Sequence, residues 1–400
     1  MGGRQNRRQS NCQANEKGKN MKRLSLLGKY VEAYLYFDFL WLFSEDGTIR
    51  AFDLASFCTE RLNGDGEAAI ALFSDNRLLS QLGPTQNRAR ELLSEGGAYE
   101  VSSEDVDRYS YICEKELDFR SLLDVRFYYG RAYVGTDSNI LQVSAMGRSD
   151  MQEFARGRSL SRPLERRTVS DRPARAFHCR FGAVGAACGL SGGLIGLGAD
   201  APDGRWTINF GQFAESSFGL TISGRAITNL AGRNRIQFYS TVSAEDRREK
   251  TEEHLDESVM DGNLHLGDVA GIAFQSEAEQ LNSIMAADVT RGVFLFNRSL
   301  WQFKLNGPPT LARFMDSDLA APHVRVHPIR RGPPGRVLSM SSIEAGVLAE
   351  TDDSVFLYRA GSWFPLVEEA VHAVRGYQTS KRYQRIATAV TRDRVDVIAV

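Results

Sequence analysis

The amino-acid sequence predicts an all-β protein built from repeated antiparallel hairpins. One pattern, a short apolar strand followed by a polar turn and a second apolar strand, occurs seven times along the chain. The 22 Phe and 13 Tyr residues also favour strands. With 400 residues, of which 42% are apolar and 25% charged, the chain is long enough to bury a large core.

The first hairpin, FLWLFSEDGTIRAFDL, spans residues 39–54. Aromatic residues alternate with leucines from Phe39 to Phe43, which is the side-chain period of a strand. Residues 45–47, Glu-Asp-Gly, have the chemistry of a turn, and the apolar pattern resumes at Ile49. The segment therefore predicts two antiparallel strands joined by a tight turn.

The same pattern recurs as far as the last residue. Most copies follow another apolar segment, so each repeat predicts three or four consecutive antiparallel strands. The intervals are uneven, roughly 40 to 90 residues, whereas regular repeats of this kind run about 40 to 50. The seven copies are residues 42–54, 133–145, 187–199, 229–241, 286–297, 347–361 and 389–400.

Other segments interrupt or flank the repeats. The leucine spacing of residues 77–97 predicts a small helical insertion. Residues 156–175 and 243–259 are highly charged and predict surface loops. Residues 1–28 predict a disordered basic leader, and residues 29–400 a single domain.

The last hairpin ends at Val400 and has no strand after it. The apolar segment KYVEAYLYFDF, residues 29–39, is suited to supply the missing outer strand. We therefore expect the two ends of the chain to pair within one sheet, because such pairing removes an open edge.

The repeat pattern resembles a β-propeller of the WD-repeat-like superfamily, most strongly in the first hairpin. Typical WD repeats end in Trp-Asp, whereas Phe52-Asp53 is the nearest pair here, and their Gly-His pair is missing. The resemblance indicates no specific subfamily. It implies a β-propeller of seven blades, each a four-stranded antiparallel sheet. Two β-sandwiches joined by loops are the competing architecture.

Composition and charge restrict the classes of partner. The net charge of −1 does not favour nucleic acid or an anionic membrane as a partner. The five cysteines are scattered and form no C-x-x-C pair, so neither a disulfide framework nor a zinc site is indicated. No apolar run reaches the roughly 18 to 20 residues that span a bilayer, and the N-terminus lacks the apolar core of a secretory signal. We expect a cytoplasmic protein with reduced thiols and no membrane contact.

One segment matches a catalytic motif. GLSGG, residues 189–193, satisfies the G-x-S-x-G pattern of hydrolase nucleophiles, which requires a strand, a sharp turn and then a helix. The following residues, LIGLGAD, are too rich in glycine for a helix, and Ser191 lies in the turn of a repeat hairpin. We therefore assign no catalytic residue and expect no cofactor.

His323 and His327 are weak candidates for metal ligands. In an extended segment they share one face with Arg325, because strand side chains alternate. A third ligand would have to come from another part of the chain. A surface strand with solvated histidines is the commoner outcome, so we predict no metal site.

Arginines form the most pronounced local charge feature. The run RGRSLSRPLERRTVSDRPAR, residues 156–175, and the segment HPIRRGPPGR, residues 327–336, predict a basic rim on a neutral body. Guanidinium groups bind carboxylate or phosphate, so an acidic peptide or a nucleic-acid backbone would fit; a solvated connection is the alternative. No aromatic residue interrupts the first run, which argues against stacking of single-stranded nucleic acid. The predicted binding residues are Arg156, Arg158, Arg166, Arg167, Arg330 and Arg331.

These observations predict a non-enzymatic protein-binding scaffold, a β-propeller subunit of a cytoplasmic multi-protein complex. Its expected partner is a protein that presents an acidic segment. The alternative is a propeller enzyme, a hydrolase or lyase, with its site at the mouth of the central channel. A cluster of acidic, histidine and arginine side chains there would favour the enzyme.

Overall fold

A computed structural model describes most of the chain outside the N-terminal segment. The described residues are 21–62, 65–74, 83–114, 121–143, 166–180, 183–198, 211–214, 216–223, 226–231, 235–240, 264–265, 284–288, 293–296, 299–305, 324–378 and 380–400. The first strands are β1 (Lys22–Leu27), β2 (Tyr30–Tyr36), β3 (Phe39–Ser44), β4 (Ile49–Asp53), β5 (Gly97–Val101), β6 (Ser110–Glu114), β7 (Leu122–Tyr128), β8 (Arg131–Thr136), β9 (Ile140–Val143), β10 (Arg166–Ser170), β11 (Ala176–Arg180), β12 (Ala183–Ala187), β13 (Leu194–Gly198) and β14 (Gly211–Ala214).

The remaining strands are β15 (Gly219–Ser223), β16 (Ala226–Ala231), β17 (Arg235–Ser240), β18 (Leu264–His265), β19 (Ile284–Asp288), β20 (Val293–Phe296), β21 (Ser299–Leu305), β22 (Val324–Arg331), β23 (Val337–Ile343), β24 (Gly346–Thr351), β25 (Val355–Arg359), β26 (Ser362–Val367), β27 (Ala373–Gly376), β28 (Ile386–Val390) and β29 (Arg394–Ala399). The helices are α1 (Leu54–Arg61), α2 (Gly66–Phe73), α3 (Pro84–Glu95), α4 (Ser103–Arg108) and α5 (Gly189–Gly192). None of these helices is both long and apolar enough to cross a membrane.

The chain divides into two compact units by its internal contacts. The first unit contains Met1–Phe119, Asp150–Pro163 and Pro333–Val400, and the second contains Arg120–Ser149 and Leu164–Gly332. Within the described residues the strands form seven sheets, six with four strands and one with five. We number these sheets I to VII by the position of their first antiparallel hairpin in the chain.

Three sheets lie in the first unit. Sheet I has the strand order β2-β3-β4-β6, and sheet VI has the order β23-β24-β25-β26. Sheet VII has the order β27-β28-β29-β1-β5, in which β1 is antiparallel to β29 and parallel to β5. The first strands of these sheets meet, because β27 contacts both β2 and β23.

Sheet VII joins the two ends of the chain through β1. Leu24 and Leu26 of β1 are fully buried, and the register pairs Ser25 with Asp396 of β29. Pairing of the chain ends was predicted, but residues 29–39 were the wrong strand, because Tyr30–Tyr36 begins sheet I instead. The predicted leader is also too long, since residues 22–27 form a strand; residues 1–20 lie outside the described residues. The pattern was hidden because the basic Lys22 and Arg23 resemble the leader that precedes them.

A helical insertion separates β4 from β6 in sheet I. Asp53 ends β4 and begins α1, because its Oδ1 accepts a hydrogen bond from the backbone N–H of Ser56 at 2.9 Å. The apolar α2 contacts β29, and α4 contacts β1, so the insertion covers part of sheet VII. The structure confirms a helix within residues 77–97, namely α3, but α1, α2 and α4 were not predicted.

Sheets VI and VII bury an apolar core between their faces. Leu348 and Leu357 of sheet VI pack in one cluster with Ala387 and Ile398 of sheet VII, and all are at most 2% exposed. The sheets approach closely at Gly376, where an added Cβ would lie 2.1 Å from the carbonyl oxygen of Ser342. A residue without a side chain is therefore required at this contact.

The second unit contains sheets II to V. Their strand orders are β10-β9-β8-β7 for sheet II, β11-β12-β13-β14 for sheet III, β15-β16-β17-β18 for sheet IV and β19-β20-β21-β22 for sheet V. Every strand pair within these sheets is antiparallel. The first strand of sheet III, β11, contacts the first strands of sheets II and IV.

Sheets II and III pack through a second apolar core. Tyr133 and Ile140 of sheet II share one buried cluster with Phe177, Val184 and Ala186 of sheet III. Each described sheet-to-sheet core thus forms between the faces of neighbouring sheets, as the repeat pattern predicts.

The sequence prediction of a mainly antiparallel all-β fold is confirmed. The described residues are mainly antiparallel strands, and the predicted hairpin forms over residues 39–53 as β3, the turn and β4, while Leu54 begins α1. The predicted loop at residues 156–175 is partly wrong, since residues 166–170 form β10. Residues 243–259 lie outside the described residues. The counts of seven blades and of one domain stay predictions.

The buried β1 generates the first testable prediction. Leu24→Ala should lower the free energy of unfolding by about 2 to 5 kcal/mol, because it leaves a cavity in a closely packed core. Chemical denaturation followed by tryptophan fluorescence measures this loss.

Lys29→Ala is the matched control for this strand. Lys29 is exposed between β1 and β2, so its replacement should change stability by less than about 0.5 kcal/mol. Equal stability of the two variants would contradict the role of β1 in closing sheet VII.

Candidate protein interface

Two of the predicted arginines lie at the edge of sheet II. Arg166 and Arg167 begin β10, the last strand of this sheet, and both are exposed. Arg156 and Arg158 lie outside the described residues, so their position relative to this edge stays a prediction.

A second pair of arginines lies at the edge of sheet V. Arg330 and Arg331 end β22, the last strand of that sheet, and both are exposed. The register pairs them with Leu300 and Ser299 of β21. Both predicted arginine pairs therefore occupy outermost strands of sheets, where charged residues discourage unwanted strand pairing.

A row of polar side chains crosses sheet II and ends at Arg167. The strand register places Arg126 opposite Tyr133, Tyr133 opposite Gln142, and Gln142 opposite Arg167. Gln142 accepts a hydrogen bond at Oε1 from Nε of Arg167 at 2.7 Å. Its Nε2 donates to the Tyr133 hydroxyl at 3.2 Å. These bonds connect the exposed edge to the buried centre of the sheet.

The inner members of this row are buried and hydrogen-bonded to one another. Tyr133 is 1% exposed and Gln142 is 5% exposed. Burial raises the pKa of Tyr133, so its hydroxyl stays neutral and remains a hydrogen-bond partner at physiological pH. Among the described residues, none accepts a hydrogen bond from the two Nη groups of Arg167. The row therefore holds this guanidinium by Nε while its outer fork can bind a carboxylate bidentately.

The structure places one of the two candidate metal ligands, His327, and the serine of the G-x-S-x-G motif, Ser191. His323 lies outside the described residues, and His327 is placed in β22. Within the described part of the chain, no three His, Cys, Asp or Glu side chains are close enough together to hold a metal ion. Ser191 lies in α5, a single helical turn between β12 and β13, as expected for a hairpin connection rather than a nucleophile elbow.

Sequence reasoning missed a buried ion pair between sheets I and VII. Arg375 of β27 donates from Nε to Oε1 of Glu32 in β2 at 3.0 Å, and Nη2 donates to Oε2. The two side chains are 7% and 4% exposed, and the guanidinium lies over the ring of Tyr34 at 5.4 Å. Charged residues inside the apolar segments YVEAYLY and AVRG were the available signal.

Glu350 of sheet VI lies close enough to Glu32 for their charges to interact. Burial raises the pKa of Glu350, a hydrogen bond from the Ser339 hydroxyl opposes the shift, and the charge of Glu32 adds to it. The ionised form of Glu350 is therefore disfavoured in the folded chain. This polar cluster connects the first strands of sheets I and VII with sheet VI.

Comparisons with known proteins give only distant structural similarities. No family model matches the sequence, and neither does any curated protein. Similar solved structures include the Cps50 (Swd1) β-propeller domain of Myceliophteria thermophila, at 9% identity and a TM-score of 0.46, covering 93% of this chain and 97% of that chain. The Neurospora crassa Pan2 WD40 domain has 8% identity and a TM-score of 0.43, covering 93% of this chain and 89% of that chain.

Likenesses this distant carry no argument about function. The fold assignment rests on consecutive, mainly four-stranded antiparallel sheets that pack face to face within each unit. The fold is a β-propeller. The resemblance to the WD-repeat-like superfamily stays a prediction, and no subfamily is identified.

The buried ion pair generates the second prediction. Arg375→Met should cost about 3 to 5 kcal/mol of stability, because Glu32 is left buried without its partner. Adding Glu32→Gln to this variant should recover part of the loss, since the uncompensated charge is then removed. Urea unfolding of these two variants and of the Glu32→Gln single variant measures the difference. Strictly additive losses would show that the two side chains do not stabilise each other.

The raised pKa of Glu350 generates the third prediction. A raised carboxyl pKa contributes stability below the ordinary glutamate pKa of about 4.3, and that contribution is lost as pH rises through the folded-state value. Glu350→Gln should therefore gain stability relative to the parent between about pH 4 and pH 7. Glu344→Gln, at an exposed position, is the control. Parallel pH profiles for the parent and Glu350→Gln would contradict the assignment.

Proposed function

We propose that the chain is a non-enzymatic protein-binding scaffold, a β-propeller subunit of a cytoplasmic multi-protein complex. The observation that carries this proposal is the polar row that holds Arg167 at the exposed edge of sheet II. An arginine held through Nε loses less side-chain freedom when its fork binds a ligand. Such prior ordering suits a binding surface better than a freely solvated loop.

The proposed ligand is an acidic segment of a partner protein. Arg166 and Arg167 present adjacent positive charges, and Arg330 and Arg331 repeat this arrangement at the edge of sheet V. Carboxylate groups match the guanidinium fork in geometry and charge. Phosphate shares that chemistry, but the net charge of −1 gives no long-range attraction for a nucleic-acid backbone. Arg156 and Arg158 belong to the same proposal.

The scaffold proposal includes seven blades. Each of the seven described sheets contains a consecutive antiparallel hairpin series, and only sheet VII takes strands from both ends of the chain. Contacts between first strands recur within each unit, from β11 to β7 and β15 and from β27 to β2 and β23. A repeated contact of this kind is what blades of a propeller share.

The polar cluster of the first unit supports the scaffold over the alternative hydrolase or lyase. Glu32 and Arg375 are almost fully buried and bind each other through two hydrogen bonds. A catalytic acid or base must reach substrate, whereas these groups are directed at one another. The cluster therefore serves to join sheets.

Removal of the edge arginines generates the fourth prediction. Arg166→Ala combined with Arg167→Ala should weaken capture of partner proteins by about 1 to 3 kcal/mol at low salt, because charge-assisted hydrogen bonds are lost. The loss should shrink as salt rises, since exposed charges are screened. Quantitative affinity purification from the native source, followed by titration of the recovered partners, measures both effects.

Arg359→Ala combined with Arg392→Ala is the matched control, because it removes the same charge from exposed positions in the first unit that lie outside the predicted basic rim. Its partner affinities should equal those of the parent. If the two double variants lose partners equally, or neither does, the edge of sheet II is not the binding surface.

A further inference from the structure

The outer edge of β10 has features of a strand-pairing site. β10 is the last strand of sheet II, and among the described residues no strand pairs with its far side. Arg166, Arg167 and Thr168 are exposed. An edge strand directs alternate backbone N–H and C=O groups outward, where another extended segment can bind them.

Two other outermost strands, β22 and β26, are interrupted by proline. Pro328 lies within β22 at the edge of sheet V, and Pro365 lies within β26 at the edge of sheet VI. Proline has no backbone N–H and interrupts a ladder of hydrogen bonds. β10, with the sequence RRTVS, contains no proline, so every residue in it retains its N–H group. Thr168 and Val169 are also β-branched types that favour strands.

We infer that β10 binds an extended acidic segment of a partner protein by strand addition, which extends sheet II by one strand. This inference rests on the proposed function and specifies how the acidic segment binds. Backbone hydrogen bonds would supply the strand geometry, and Arg167 would bind a carboxylate on a side chain of the added strand. The side-chain row through Gln142 and Tyr133 fixes the position at which that carboxylate is bound.

Charge selects the occupant of this edge. A second copy of the chain would place Arg166 and Arg167 of two edges close together, and like charges on paired strands repel. A basic or neutral strand would gain no charge pairing at these positions. An acidic side chain on the added strand pairs with Arg167, whereas a cationic one is repelled, so the charge that rejects self-association favours this class of partner.

The test uses the full chain and synthetic peptides of about seven residues, in which acidic side chains alternate with threonine and valine. Three fluorescent peptides of this length are compared. The first is the unmodified acidic peptide, the second carries N-methyl groups on the backbone amides of its odd-numbered residues, and the third carries them on its even-numbered residues. Fluorescence polarisation measures their affinities. Only one set of amides faces β10 in strand addition, so one derivative should bind roughly tenfold or more weakly while the other binds like the parent peptide.

Hydrogen exchange supplies an independent measurement. Binding of the acidic peptide should slow exchange of amides within residues 166–170, because outward N–H groups become hydrogen-bonded. A lysine-containing peptide of the same pattern should bind at least about tenfold more weakly and give no protection. Arg166→Ala combined with Arg167→Ala should abolish the preference for the acidic peptide.

Three outcomes would overturn strand addition. The first is equal binding by both N-methylated derivatives together with unchanged exchange at residues 166–170. The second is failure of the acidic peptide to bind the parent chain. The third is arginine-dependent binding of a single-stranded oligonucleotide that is tighter than binding of the peptide. In the first two cases the scaffold proposal still stands if partner capture depends on Arg166 and Arg167, so the failures of the two proposals are distinguishable.

Discussion

Pairing between β1 and β29 is the constraint on which the first unit depends. The buried carboxylate of Asp396 accepts a hydrogen bond from the Ser25 hydroxyl at 2.6 Å and lies 3.5 Å from Nη1 of Arg23. Arg394 donates to the same carboxylate at 3.1 Å. The contacts of Ser25 and Arg23 with Asp396 join residues from the two ends of the chain, and the cost of closing so long a loop grows only slowly with its length. Sheet VII can therefore pack against sheet VI and bind sheet I as one complete element.

Polar side chains placed after a β-bulge join several neighbouring sheets. The register of β2 shifts just before Glu32, and that of β7 shifts just before Asp124. Each carboxylate accepts from the N–H of the residue that follows it and also reaches a neighbouring sheet, Glu32 through Arg375 and Asp124 through the N–H of Phe177 at 2.6 Å. The bulge turns these side chains across the sheet boundary. Repetition of this device in both units shows that the repeats share more than an apolar pattern.

Local sequence patterns predicted the hairpins. The alternation of side chains along each strand and the turn residues between strands both lie within short segments, as in β3 and β4. They did not predict β1, whose partner is far away in the sequence, or the start of α1, which depends on the side chain of Asp53. The Glu32–Arg375 pair was missed for the same reason, since its members are 343 residues apart. Among the candidate binding residues, the sequence identified Arg166 and Arg167 by their charge but placed them in a loop. Only the strand register shows the row that leads from Arg167 to Tyr133.

The arginines of β10 explain how an edge strand can be protected against unwanted strand pairing and still bind a partner. Charge at a sheet edge raises the free energy of pairing with most strands, and this effect acts against chance association. The same charge lowers the free energy of pairing with an acidic strand, so protection and recognition come from the same residues. Proline protects β22 and β26 without such selectivity, because it removes an N–H group from every possible pairing. β22 carries Pro328 beside Arg330 and Arg331, so these arginines can still bind carboxylates through their side chains although the backbone edge is interrupted, whereas β10 offers both kinds of contact.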